Sequence, residues 1–153
     1  MATVNIYLTF NGNCEEAFDF YKSVFNKEFH YVGRFGEMPP QADCPPISDD
    51  MKDKIMHISL PISKETCLMG SDAGGEWSPS IKQGNNFTIS VSTKDKAETD
   101  KIFNALAEGG NITMPLADTF WQSYFGMLTD KFGINWMVSC ELESHKNYEQ
   151  ENR

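Results

Sequence analysis

Apolar and polar side chains alternate from Val4 to Phe10, with Ile6, Leu8 and Phe10 set against Asn5, Tyr7 and Thr9. That period of two predicts a strand with one buried face. Asn11-Gly12-Asn13 breaks the pattern, and Asn13 with Glu16 three residues later resembles a capping box. Ala17, Phe20, Tyr21, Val24 and Phe25 then recur at helical spacing, which predicts an amphipathic helix. Strands follow at 29–35, 55–62 and 66–71. Between them, 36–54 holds Pro39, Pro40, Pro45 and Pro46 together with Asp43, Asp49, Asp50 and Asp53, the composition of a mobile loop.

The order then recurs. Phe87, Ile89 and Val91 alternate with Thr88, Ser90 and Ser92 in a strand. Asp95 and Glu98 form a second capping pattern. Ile102, Ala105 and Leu106 mark a helix face that stops at Gly109-Gly110. Strands are expected at 112–117, 121–129 and 134–142, with Asp130-Lys131-Phe132-Gly133 turning the last hairpin. The chain therefore reads as βαβββ written twice, each copy about 70 residues long. The expected organisation is a first module at 1–72, a linker at 73–85, a second module at 86–142 and a polar tail at 143–153. The fold class is α+β: tandem βαβββ repeats whose curled mixed sheets form a cupped cavity, the natural place for a ligand.

Composition narrows the roles. The chain has 153 residues, 13 Lys+Arg and 22 Asp+Glu, for a net charge of −9. A field of that sign repels phosphate backbones and anionic lipid, so neither nucleic acid nor a membrane is an expected partner. No apolar run approaches the ~20 residues of a membrane span. Met1-Ala2-Thr3-Val4-Asn5 lacks a basic patch followed by an apolar stretch, so no secretory signal is expected. Cys14, Cys44, Cys67 and Cys140 are scattered without C-x-x-C spacing, which suits reduced thiols and a cytoplasmic location.

The order of motifs along the chain resembles the PhnB-like branch of the vicinal oxygen chelate superfamily, which includes glyoxalases, bleomycin-resistance proteins and dioxygenases. The matching stretches are Tyr7-Leu8-Thr9-Phe10, Glu16-Ala17, Phe20-Tyr21, Phe35-Gly36-Glu37-Met38-Pro39, Met56-His57, Met69 and Ser71-Asp72. The longest runs from Thr119-Phe120-Trp121 through Gly126 to Thr129-Asp130-Lys131-Phe132-Gly133 and Trp136-Met137. Members of this branch are often labelled 3-demethylubiquinone methyltransferase-like. The chain has no Gly-rich strand-to-helix loop of the kind that holds an adenosyl cofactor.

Superfamily enzymes usually hold a divalent metal on four strand positions. The resemblance places these at Asn5, Met69, Asn86 and Met137, and their neighbours Ile6, Leu68, Phe87 and Trp136 are no better donors. Amides and thioethers are poor ligands for hard or borderline cations, so neither a metal nor any other cofactor is expected. Of the three histidines, His30 lies outside the ligand-bearing strands and His145 lies in the tail.

Strand parity predicts the cavity lining: Asn5, Tyr7, Thr9, His57, Ser59, Thr88, Ser90, Asn135, Met137 and Ser139. The set is neutral and polar, suited to a small molecule held by hydrogen bonds. His57 is the principal candidate for acid–base work, with Tyr7 and Glu37 assisting. Trp77, Trp121, Tyr124 and Phe125 supply aromatic surface for a planar ligand, and Trp136 faces the core. Asp72 reads as a turn residue before Gly74-Gly75.

The leading expectation is a metal-independent small-molecule-binding protein. An isomerase or lyase acting on a carbonyl compound, with His57 as general base, is the alternative. A purely structural module is a third reading. A homodimer, joined through the aromatic last hairpin, is also expected.

Overall fold

The computed structural model describes residues 2–39, 46–73 and 81–142. The chain divides into two compact units, Met1–Lys82 and Gln83–Arg153. In the first, strand β1 (Ile6–Phe10) leads to helix α1 (Cys14–Phe25), then β2 (Tyr31–Arg34), β3 (Ile55–Pro61) and β4 (Cys67–Asp72). In the second, β5 (Ile89–Ser92) leads to α2 (Lys96–Ala107), β6 (Asn111–Asp118), β7 (Ser123–Thr129) and β8 (Asn135–Glu141). Each unit is a four-stranded mixed sheet, ordered β1-β4-β3-β2 and β5-β8-β7-β6. In each, the first strand runs parallel to the last and the other pairs are antiparallel. The α+β βαβββ repeat expected from the sequence is therefore present.

Several boundaries differ from the sequence pattern. Phe87 and Thr88 precede β5, and Phe87 is exposed. Trp121 sits in the turn before β7, where Gln122 takes a left-handed φ of 66°. Asn5 lies before β1. The start of the Pro-rich loop forms a short 3-10 turn, Phe35–Glu37, pinned by Phe35 N donating to Lys54 O (3.1 Å) and Gly36 N to Lys52 O (2.9 Å). Residues 40–45 of that loop, the linker segment 74–80 with Trp77, and the tail from 143 with His145 lie outside the described residues, as does Cys44.

Helix α1 buries Cys14, Ala17, Phe18, Tyr21 and Val24. Phe18, rather than the expected Phe20, enters the core. Its ring stands edge-on to Phe10 (6.1 Å) and Tyr21 (5.7 Å). Gly70 makes this possible: a Cβ there would lie 2.7 Å from both Leu8 O and Phe18 Cε2. Leu8, Phe10, Ile58, Leu60 and Leu68 complete the buried face. Helix α2 buries Thr99, Ile102, Phe103 and Leu106 over Leu128, Trp136 and Val138.

The two helices start differently. Asp95 caps α2 as expected, accepting from Glu98 N at 2.9 Å. Asn13 makes no side-chain cap on α1. The cap comes instead from Asp72, 58 residues away and 4% exposed. Its Oδ1 accepts from Gly12 N (3.0 Å) and Cys14 N (2.9 Å), and its Oδ2 accepts from Ile55 N (2.9 Å). Asp72 is thus a buried clasp, not an exposed turn residue. Parity accounts for this: Leu68, Gly70 and Asp72 share the helix-facing side of β4, where a carboxylate must find donors. In the other unit Asp130, 3% exposed, accepts from Phe132 N (2.8 Å), Ile134 N (3.1 Å) and the buried Trp136 Nε1 (2.8 Å).

Asp72→Asn keeps one acceptor oxygen but turns an NH2 group toward a backbone donor, so it should cost about 2–4 kcal/mol in urea unfolding. Asn13→Ala should stay within about 0.5 kcal/mol of the parent. Equal effects of the two substitutions would contradict this assignment of the cap.

Candidate functional site

With α1 on one face of the first sheet, the other face carries the alternate residues. Tyr7 and Thr9 on β1 pair with Met69 and Ser71 on β4, while Tyr31 and Gly33 on β2 pair with Ser59 and His57 on β3. The exposed ring of Tyr7 stacks on the half-buried imidazole of His57, with centroids 5.7 Å apart and planes 23° apart. Its hydroxyl lies 3.4 Å from His57 Nδ1. From β2 the ring of Tyr31 reaches His57 at 5.8 Å. Tyr7 and Tyr31 are 49% and 48% exposed, so aromatic surface remains open on both sides of the imidazole.

Gly33 makes room for Tyr31. A Cβ at that position would meet Tyr31 Oη at 2.7 Å and Cε1 at 2.8 Å. The phenol ring therefore lies over bare backbone, directly beside its neighbour on β3. Neither Tyr31 nor Gly33 figures among the residues expected from the sequence. The signal was available in parity, since Tyr31 lies two residues from Gly33 on the face that pairs with His57.

Other expected residues have different surroundings. Ser59 shares this face but is buried, and its Oγ lies 2.9 Å from Cys67 Sγ. Asn5 Oδ1 accepts from Cys67 N at 2.9 Å, extending the β1–β4 pairing beyond the end of β1. Glu37 folds back on its own turn, where its carboxylate accepts from Arg34 N at 3.4 Å. Arg34 in turn donates to Asp53 O (2.7 Å) and pairs with Glu15 on α1. Those contacts fasten the 3-10 turn to the helix side of the unit.

In the second unit, Ser90 pairs with Met137, and Met137 with Met127, on the face away from α2. Phe125 shares that face by its pairing with Ser139, and its ring stands edge-on to Trp121 at 5.8 Å. Trp121 is also edge-on to the exposed Phe120 at 5.0 Å. Asn135 accepts from Thr129 Oγ1 at 2.8 Å. Tyr124 does not share an aromatic wall with Phe125. Adjacent strand residues point to opposite faces, and Tyr124 turns to α2, donating to Asp100 Oδ1 at 2.6 Å. That bond raises its pKa to about 12, keeping the phenol protonated and donating.

Buried Cys14 has its thiol pKa raised, first by burial and then by the charges of Asp72 and Glu15, so it is held as an unreactive thiol. Of the positions matched to metal ligands, Met69 and Met137 lie on open faces, Asn5 is bonded to Cys67, and Asn86 lies in the bend before β5. Among the described residues no three His, Cys, Asp or Glu side chains converge. No helix among them is long and apolar enough to cross a membrane.

Paired βαβββ units of this kind define the glyoxalase/bleomycin resistance/dioxygenase fold. A family enzyme of that description from Burkholderia phytofirmans shares it at a TM-score of 0.56 and 17% identity, covering 92% of this chain and 97% of its own. The chain belongs to the PhnB-like family described as 3-demethylubiquinone-9 3-methyltransferase, which matches residues 2–139. Protein YjdN of Escherichia coli is 35% identical over 139 residues, covering 87% of this chain and 91% of its own. Protein PA1353 of Pseudomonas aeruginosa is 41% identical with a TM-score of 0.78, covering 94% of this chain and all of its own. A putative 3-demethylubiquinone-9 3-methyltransferase, PhnB protein, of Bacillus cereus is 25% identical with a TM-score of 0.67, covering 91% and 99%.

Gly33→Ala should displace the Tyr31 ring while leaving the backbone intact, because the clash is with the far end of a mobile side chain. Proton NMR should show the His57 ring protons losing the upfield shift that Tyr31 imposes, with stability changed by less than about 1 kcal/mol. Unchanged His57 ring shifts would contradict the placement of Tyr31.

Proposed function

We propose that the open face of the first sheet binds a small, uncharged organic molecule bearing a planar group and a hydrogen-bonding oxygen. The observation that carries this reading is the row of rings Tyr7, His57 and Tyr31, bordered by Thr9, Met69 and Ser71. Aromatic faces and a thioether supply contact area, and the imidazole and hydroxyls fix orientation. These border residues carry no formal charge, and the chain's net charge of −9 disfavours an anionic ligand. Sequestration of such a molecule needs no further group.

The donor set supports a role without the superfamily's metal. Asn5 and Asn86 offer amides, and Met69 and Met137 offer thioethers. Thioethers favour soft ions, and Asn5 Oδ1 is already engaged by Cys67 N, so the set lacks the charged and imidazole donors that hold a divalent cation firmly. The methyl transfer in the family's description finds equally little support in these residues. The N-terminus of α1 already holds the carboxylate of Asp72 and that of α2 the carboxylate of Asp95, which disfavours an anionic group at either. Each sheet is mixed, without the doubly wound parallel order that holds adenosyl cofactors.

A second reading rests on the half-buried His57 imidazole on the open face: an isomerase or lyase in which His57 takes a proton next to a carbonyl group. Free thiols at Cys14, Cys67 and Cys140 support a reducing, cytoplasmic setting, and the exposed Phe120 and Trp121 support a homodimer.

A thermal-shift screen of neutral planar carbonyl compounds, run in EDTA, tests the proposal. Hits should lose about fivefold to tenfold in affinity in Tyr31→Ala or His57→Ala. Hits indifferent to both substitutions, or the absence of any hit in EDTA when the same compounds bind on addition of a divalent cation, would overturn it.

A further inference from the structure

We infer that Tyr7 sets the tautomer of His57, so that the imidazole offers its ligand a hydrogen-bond donor at Nε2 and not a base. The inference rests on the proposed use of this face for binding, and it separates the two functional readings. Tyr7 Oη and His57 Nδ1 lie 3.4 Å apart with their rings stacked. One proton lies between them. It can belong to the phenol, with Nδ1 accepting, or to Nδ1, with the phenol oxygen accepting. A phenol is the stronger acid of the two donors, and an sp2 imidazole nitrogen is the stronger base of the two acceptors. The O–H···Nδ1 arrangement is therefore the better bond. A neutral imidazole that accepts at Nδ1 carries its remaining proton on Nε2.

Nε2 makes no hydrogen bond among the described residues, so its N–H is available. Tyr31 packs against the same ring at 5.8 Å, and Gly33 lets it lie there. The imidazole thus has an aromatic group on each side and one nitrogen engaged. The ligand chemistry that fits is an acceptor oxygen, as in a ketone, aldehyde, amide or ester, with a flat group laid along the tyrosine rings. Tyr7 acts through His57 and is a positioning residue. In that tautomer the imidazole polarises a carbonyl oxygen. It cannot remove a carbon-bound proton through Nε2 without first giving up the proton it holds there.

Long-range nitrogen–proton NMR of the uniformly 15N-labelled chain reads the tautomer directly. It should be recorded at a pH of about 8.5, where free imidazole is neutral. His57 is expected to show a protonated Nε2 and an unprotonated Nδ1. Tyr7→Phe keeps the stacked ring and removes the proton donor, and the tautomer ratio should fall about threefold, the worth of a hydrogen bond of this kind. A protonated Nδ1 in the parent, or an unchanged ratio in Tyr7→Phe, would overturn the inference. Titration with acetophenone then tests the ligand chemistry separately. A shift of the Nε2–H resonance that is reduced in Tyr31→Ala supports it. If the tautomer is as stated but acetophenone leaves Nε2–H unmoved, the binding reading fails while the Tyr7 assignment stands.

Discussion

The carboxylate of Asp72 holds three parts of the first unit in one place. It ends β4, accepts from Gly12 N just before α1 and Cys14 N at its first residue, and accepts from the first residue of β3. A buried carboxylate without donors would be strongly destabilising, and with three it fixes chain segments far apart in sequence. The clasp sets where α1 starts over the sheet, and so which of its residues reach the core. It also anchors β3 at Ile55, two residues before His57.

The second unit repeats the architecture with different fastenings. Asp95 caps α2 locally, and Asp130 braces the last hairpin against Trp136. Both units rely on a glycine under a helix phenylalanine, Gly70 beneath Phe18 and Gly126 beneath Phe103, where a Cβ would approach to 2.7 Å and 2.8 Å. Close helix-to-sheet packing is thus achieved by removing a side chain from a strand. Gly33 plays a related part on the open face by admitting Tyr31.

Much of this was legible in the chain. Alternation located the strands and the helical period located both helices, because each sheet has one covered face and each helix one buried stripe. Asp95 with Glu98 was readable because its cap is local. Asp72 was not, because its donors lie 17, 58 and 60 residues away and no local pattern reports such a bond. The same limit explains Phe18 replacing Phe20: the face of a helix is set by how its first turn is held. For the site, parity found Tyr7 and His57, but the reach of Tyr31 across Gly33 depends on a side-chain position. Tyr124 was placed with Phe125 on aromatic character, although neighbours in a strand face opposite ways.

Amide hydrogen exchange at Ile55 and Cys14 tests most directly whether the Asp72 clasp governs the first unit. If it does, both amides exchange only when the whole unit unfolds, at the slow rate of core amides such as that of Leu60. Exchange of Ile55 or Cys14 at the rate of an exposed amide such as that of Asp50, with Leu60 still protected, would contradict the account.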